Sequence, residues 1–234
     1  IPPNVVSLEN GWISKVYFLK HIKVSPLNKN FSFVDEKILI GKFNEQYSEF
    51  DVLMFASRDI EEITIPSYIK RIESFAFADC SNLKSIKFLS DSKLESIASD
   101  AFAGAFMQEI SIPSSVKSIG DAAFNSCNKL KSILFDNNSL LTSLSAEMLC
   151  GTIIETITIP PNVKNICENA FYYCEKLKEV NFSPGSMLSS IDDGAFSGSS
   201  ISALKIPEHV THIGRDAFNK CNNLKIIEIP KNAE

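Results

Sequence analysis

"IPPNVKNICENAFYYCEKLKEVNF", residues 159–182, carries the pattern that organises the whole chain. Its apolar marks are Ile159-Pro160, Val163, Ile166, Ala170-Phe171, Cys174, Leu177, Val180 and Phe182. The chain opens on a worn copy, "IPPNVVSLENGWISKVYFLKHIKV", residues 1–24. There Val5, Leu8, Leu19, Ile22 and Val24 stand where Val163, Ile166, Leu177, Val180 and Phe182 stand later. Pro66, Pro113, Pro160 and Pro207 follow one another at 47 residues, and Cys80, Cys127, Cys174 and Cys221 keep the same interval. A finer unit, L-x-x-I-x-I/F, begins at Leu19, Ile60, Leu83, Met107, Leu130, Ile154, Leu177, Ile201 and Leu224. From Ile60 onward the steps alternate between 23 and 24 residues. A fixed period of this length is the mark of a stacked repeat protein.

Each position in the unit has a physical task. The last residues of L-x-x-I-x-I alternate apolar with polar, the period of a short strand with one face buried. Pro after that strand has no N–H to give and ends the ladder. A second apolar pair follows, such as Val116/Ile119, Val163/Ile166 and Val210/Ile213. Then comes Phe77, Phe102, Phe124, Phe171, Phe196 or Phe218, with Leu149 as the substitute in one unit. One unit cannot cover its own apolar face. Stacked in parallel, neighbouring units make a continuous core.

The pattern L-x-x-I-x-I-P-x-x-V-x-x-I-x-x-x-A-F-x-x-C resembles the leucine-rich repeats of the BspA-like family of bacterial and protist surface proteins. The resemblance implies an α/β-type repeat solenoid: a curved, right-handed stack with a parallel β-sheet on its concave face. Nine strands are expected at the 23/24-residue steps, in a single solenoid over residues 1–234. It also implies a non-catalytic protein-binding module of a cell-surface or secreted adhesion protein, with a host or extracellular-matrix protein as the kind of ligand. A cytoplasmic scaffold of the same fold is the alternative. One stretch breaks the period: residues 25–59, with apolar runs Phe31–Val34, Ile38–Ile40 and Phe50–Phe55 around turn-prone "VDEK" (34–37) and "GKFNEQ" (41–46). It reads as a β-hairpin or meander inserted in place of half a repeat, and members of the family carry similar insertions.

Composition excludes several classes. The chain is 44% hydrophobic and 22% charged with net charge −5, which is globular and without the basic stripe of a nucleic-acid binder. No apolar run is long enough for a membrane helix. No cofactor motif, P-loop, H-E-x-x-H or CxxC occurs, and the three histidines, His21, His209 and His212, have no partners at metal-ligand spacing. The four ladder cysteines lie two strands apart, roughly 10 Å, beyond the reach of a disulfide. They are expected to be buried free thiols, and Cys150 and Cys167 to be reduced as well.

The outward positions of the strands form three columns. The first reads Lys20, Glu61, Lys84, Gln108, Lys131, Glu155, Lys178, Ser202, Lys225, with charges of opposite sign on successive strands. Candidate partner-binding residues on this concave face are Lys84, Lys87, Glu109, Lys131, Leu134, Glu155, Lys178, Lys205 and Ile226. Three N-x-S sequons, at Asn30, Asn137 and Asn181, are candidate glycosylation sites. The chain has no initiator Met, and both ends fall at the same phase of the repeat. The expectation is therefore an excised run of a longer array, whose last strand, residues 224–229, leaves an edge open to end-to-end self-association.

Overall fold

The computed structural model describes residues 1–42 and 49–233. Three antiparallel strands come first: β1 (Phe31–Val34), β2 (Ile38–Gly41) and β3 (Val52–Ala56). Asp35 and Glu36 turn the chain between β1 and β2 with φ of 51° and 52°, the left-handed backbone that tight hairpins use. Residues 43–46 of the "GKFNEQ" turn lie outside the described residues.

From residue 60 onward every unit contributes one longer and, in all but the last, one shorter strand. The longer ones are β4 (Glu62–Ile65), β6 (Ser85–Phe88), β8 (Glu109–Ile112), β10 (Ser132–Phe135), β12 (Thr156–Ile159), β14 (Glu179–Phe182), β16 (Ala203–Lys205) and β18 (Ile226–Glu228). The shorter ones are β5 (Arg71–Ile72), β7 (Ser96–Ile97), β9 (Ser118–Ile119), β11 (Ser143–Leu144), β13 (Asn165–Ile166), β15 (Ser190–Ile191) and β17 (His212–Ile213). The long strands pair in parallel as β4–β6, β8–β10, β12–β14 and β16–β18. These are the steps of 23 residues. Across the 24-residue steps the strands remain neighbours without a continuous ladder. The short strands carry the second face, and β3 pairs in parallel with β5, so β1–β3 extend that second sheet.

Two expectations need correction. No α-helix occurs among the described residues, so the stack is a β-solenoid rather than an α/β one. Around each Phe the chain makes i→i+3 turns, such as Ala78 N–H to Phe75 and Cys80 N–H to Phe77. Alternate N–H groups leave the turn for the next unit instead: Phe77 donates to Ala101, Phe102 to Ala123, Phe124 to Met148, Phe171 to Ala195. Residues two before and two after the Phe sit at positive φ, for example Asp100 (56°) and Gly104 (69°), or Asn169 (55°) and Tyr173 (52°). Left-handed residues every four positions prevent an α-helix from propagating.

The long-strand sheet also has eight strands, not nine. Residues 19–24 form no strand, and their first two carbonyls are bonded by the end of the insertion. Arg58 N–H donates to the Leu19 carbonyl, and Ser57 Oγ to that of Lys20. The end of the insertion is thereby tied to the first repeat-like segment. Residues 1–24 still turn Ile13 and Ile22 inward, where they pack with Leu39, Val52, Met54 and Phe55 in a small core of their own. Ile38, Ile40 and Leu53 of the same strands face the main core. The meander is thus buried on both faces.

The main core is built of columns. Phe77, Phe102, Phe124, Leu149, Phe171 and Phe196 are fully buried. Successive rings stack face to face, with centroids 4.9 Å apart for Phe77–Phe102, 5.2 Å for Phe102–Phe124 and 4.9 Å for Phe171–Phe196. Arg58 closes the first end of the stack. Its buried guanidinium donates to the carbonyls of Ala76 (2.8 Å), Phe75 (2.9 Å), Ala56 (3.2 Å) and Val16 (3.0 Å). It also lies over the Phe55 ring at 4.9 Å. One side chain therefore serves three segments: residues 1–24, the insertion and the first unit of the stack.

Phe124→Ala or Phe171→Ala should lower stability by about 3–5 kcal/mol, because neighbours held by inter-unit hydrogen bonds cannot collapse into the cavity. Phe18→Ala, at a ring 88% exposed, should change it by less than about 0.5 kcal/mol. Equilibrium denaturation measures both. Arg58→Ala removes a buried guanidinium and its hydrogen bonds to four carbonyls and should cost about 2–4 kcal/mol. Hydrogen exchange should show the loss of protection concentrated in residues 1–42 and 49–80.

Candidate partner-binding face

The long strands β4 to β18 hold the first sheet's outward columns in register. Ser111 stands beside Leu134, Thr158 beside Asn181, Lys205 beside Glu228. All nine residues singled out from the sequence are exposed here: Lys84, Lys87, Glu109, Lys131, Leu134, Glu155, Lys178, Lys205 and Ile226. The charge ladder is not continuous. Lys84 pairs with Glu61 at 2.7 Å, Lys178 with Glu155 at 3.4 Å and Lys205 with Glu228 at 3.4 Å. Lys131 reaches Gln108 Oε1 at 3.5 Å. Each pair joins two strands one 23-residue step apart, and none crosses a 24-residue step. These groups are open to solvent, where such pairs contribute about 0–1 kcal/mol. Lys87 and Glu109 make no ion pair among the described residues, and Leu134 (57% exposed) and Ile226 (60%) lie bare on the sheet.

Between β14, β16 and β18 the face dips into an open groove of about 640 Å³, lined among others by Asn181, Ser183, Lys205, Pro207 and Ile226. A second hollow of about 550 Å³ lies at the other end. There residues 6–12 fold over Phe31, Val52, Met54 and Arg71. No repeat position marks it, because its walls come from separate segments: residues 6–12, the insertion strands and the chain after Arg71. Asn137 is exposed in the loop after β10, Asn181 is exposed on β14 with its amide donating to Glu179 (2.9 Å), and Asn30 is half-buried. The three histidines are exposed and dispersed; no group of three His, Cys, Asp or Glu side chains converges on a metal position among the described residues. No helix long and apolar enough to cross a membrane occurs among the described residues.

All six cysteines are free. The ladder thiols do more than fill space. Cys127 Sγ donates to the Phe102 carbonyl (3.0 Å), Cys174 to Leu149 (3.1 Å) and Cys221 to Phe196 (3.1 Å), each reaching the preceding unit. Thr152 and Ser199, at the alternate units, place hydroxyls 3.3 Å and 3.2 Å from the next sulfur. Burial pushes Cys80 up to about 11, and Cys127 and Cys174 up to about 12. Burial also raises Cys150 and Cys167. Nucleophilic chemistry needs the thiolate, and here the thiol is favoured. On the turn edge, burial raises Asp100, with Glu147 and Asp121 adding to the effect.

A family model described as a BspA type leucine rich repeat region, in six copies, matches residues 48–178 and 142–234. A leucine-rich repeat protein from Eubacterium ventriosum shares the fold with a TM-score of 0.80 at 24% identity, over 99% of this chain and 59% of that one. One from Bacteroides ovatus gives 0.61 at 25%, over 85% and 65%. A leucine-rich cell surface protein from Faecalibacterium prausnitzii gives 0.52 at 21%, over 87% and 55%. The pneumococcal vaccine antigen PcpA gives 0.62 at 20%, over 88% and 71%. The chain thus spans less than two thirds of the first two of these proteins. No curated protein matches it.

The pH dependence of stability follows from the thiols. The folded state holds Cys127 and Cys174 near 12 against an ordinary value of 9.0, so above pH 9 the unfolded chain releases protons that the folded chain keeps. Their contribution is complete below pH 9 and is lost as the pH rises from 9 to 12. Cys127→Ala with Cys174→Ala should flatten the alkaline limb of a melting-temperature profile. Reductant should leave the melting temperature unchanged.

Proposed function

The chain belongs to the BspA-type leucine-rich repeat family, and from that premise we propose that it is a non-catalytic protein-binding module, displayed at a cell surface, that engages its ligand through the first sheet. The observation that carries this reading is the combination on that face of bare apolar side chains, Leu134 and Ile226, with the uncommitted charges of Lys87 and Glu109. Interfaces draw affinity from a few central anchors, with polar residues around them setting register. The half-committed charges of Lys84, Lys131, Glu155, Lys178 and Lys205 form that surround. A rigid ladder presents all of them with little ordering cost on binding.

Relatives described as a cell surface protein and a vaccine antigen support surface display. A host or extracellular-matrix protein is the ligand class this placement favours, and Asn137 and Asn181 are the sequons open to modification. The six free thiols favour a second reading, a scaffold in a reducing compartment. Immobilised chain, offered in parallel matrix proteins and cytosolic extract, separates the two. Capture of a matrix protein is expected, and Leu134→Asp combined with Lys87→Glu should weaken it about tenfold or more. Capture that is indifferent to both changes would remove the first sheet from consideration.

A further inference from the structure

The turn edge carries an arrangement unlike anything else in the stack. At the left-handed position two residues after the core Phe, the units place Asp79, Gly104, Ser126, Gly151, Gly198 and Lys220. In the remaining unit a tyrosine, Tyr173, adopts the same backbone, with φ 52°. A bulky aromatic residue is rare there. Its ring lies on the following unit, where a Cβ on Gly198 would stand 3.3 Å from Tyr173 Cγ and Cδ1. A side chain at that position would crowd the ring by a few tenths of an ångström, and glycine spares it that. Tyr172 meets it edge to face, with centroids 4.5 Å apart and planes at 77°.

From two units away Lys220 Nζ donates to Tyr173 Oη at 2.9 Å. Its 5.5 Å distance to the ring centroid places the ammonium beyond the hydroxyl end, not over the ring. Tyr173 remains 36% exposed. Lys220 and Glu175 act on the phenol, and Asn219 and Asn222 flank Lys220 in the sequence; all four are exposed.

We propose that the Tyr172–Tyr173 corner is a saccharide subsite, taking one pyranose unit of a glycan. The π faces are electron-rich and attract the polarised C–H groups of a sugar ring. Hydroxyls projecting from the ring edge find carboxylate, amide, ammonium and phenol partners. An apolar side chain would leave those groups without partners, and a cationic ligand would be repelled by Lys220. On the same edge Phe106 keeps 37% exposure, with Lys129 6.0 Å from its ring, a second contact for a longer chain. This site is separate from the first sheet.

Saturation-transfer NMR with the methyl β-glycosides of glucose, galactose, N-acetylglucosamine and glucuronic acid tests it. At least one should receive magnetisation from the protein on its ring C–H protons. Tyr173→Ala and Tyr173→Leu should each weaken it about tenfold, the loss typical of removing a stacking aromatic ring. Tyr173→Phe should retain most of the affinity, and the melting temperatures should stay with the wild type. Absence of transfer to all four glycosides, or undiminished binding by folded Tyr173→Ala or Tyr173→Leu, overturns the assignment.

Discussion

Backbone hydrogen bonding between successive units is the constraint on which the rest depends. A unit of 23 or 24 residues has too little backbone of its own to satisfy its N–H and C=O groups, and a buried unpaired one is costly. The solution is to give every unit's donors to its neighbour: Phe77 to Ala101 on the turn edge, Lys84 to Glu61 at the start of the long strand, Glu73 to Leu53 on the second face. Because each bond fixes one unit against the next, side chains at equal positions must fall into columns. Stacked phenylalanines, thiols bonded to carbonyls of the preceding unit and outward charge columns all follow from that register.

The alternation of step length has consequences of its own. A 23-residue step lets two long strands pair fully, and the additional residue of a 24-residue step interrupts the ladder. The exposed ion pairs of the first sheet obey the same division, as Glu61–Lys84 and Glu155–Lys178 illustrate. The sheet is a series of two-strand blocks, and Lys87 and Glu109, which lie on the two strands flanking a block boundary, make no ion pair among the described residues.

The first end of the stack illustrates how a repeat protein ends its own periodicity. Three antiparallel strands take over the second sheet, and residues 1–24 keep their inward apolar positions while giving up the strand. Arg58 ties these segments together by donating from its guanidinium to the carbonyls of Val16, Ala56, Phe75 and Ala76. An apolar plug could fill the space but could not serve those acceptors.

Period, core columns and free thiols were legible in the sequence, since each depends on which residue types recur and at what interval. Spacing alone put Phe124 inside and Leu134 outside, and kept Cys127 from Cys174. Tertiary structure decided the rest. Residues 19–24 keep the repeat's apolar marks yet form no strand, and they are bonded instead to Ser57 and Arg58, nearly forty positions away. Whether the second half of a unit coils as a helix depended on where its N–H groups go, and they go to the next unit. Tyr173 carries no mark in the repeat pattern; its place on Gly198 and its bond from Lys220 come from packing between units. A period in sequence records what every unit shares, whereas these contacts join residues that occur once.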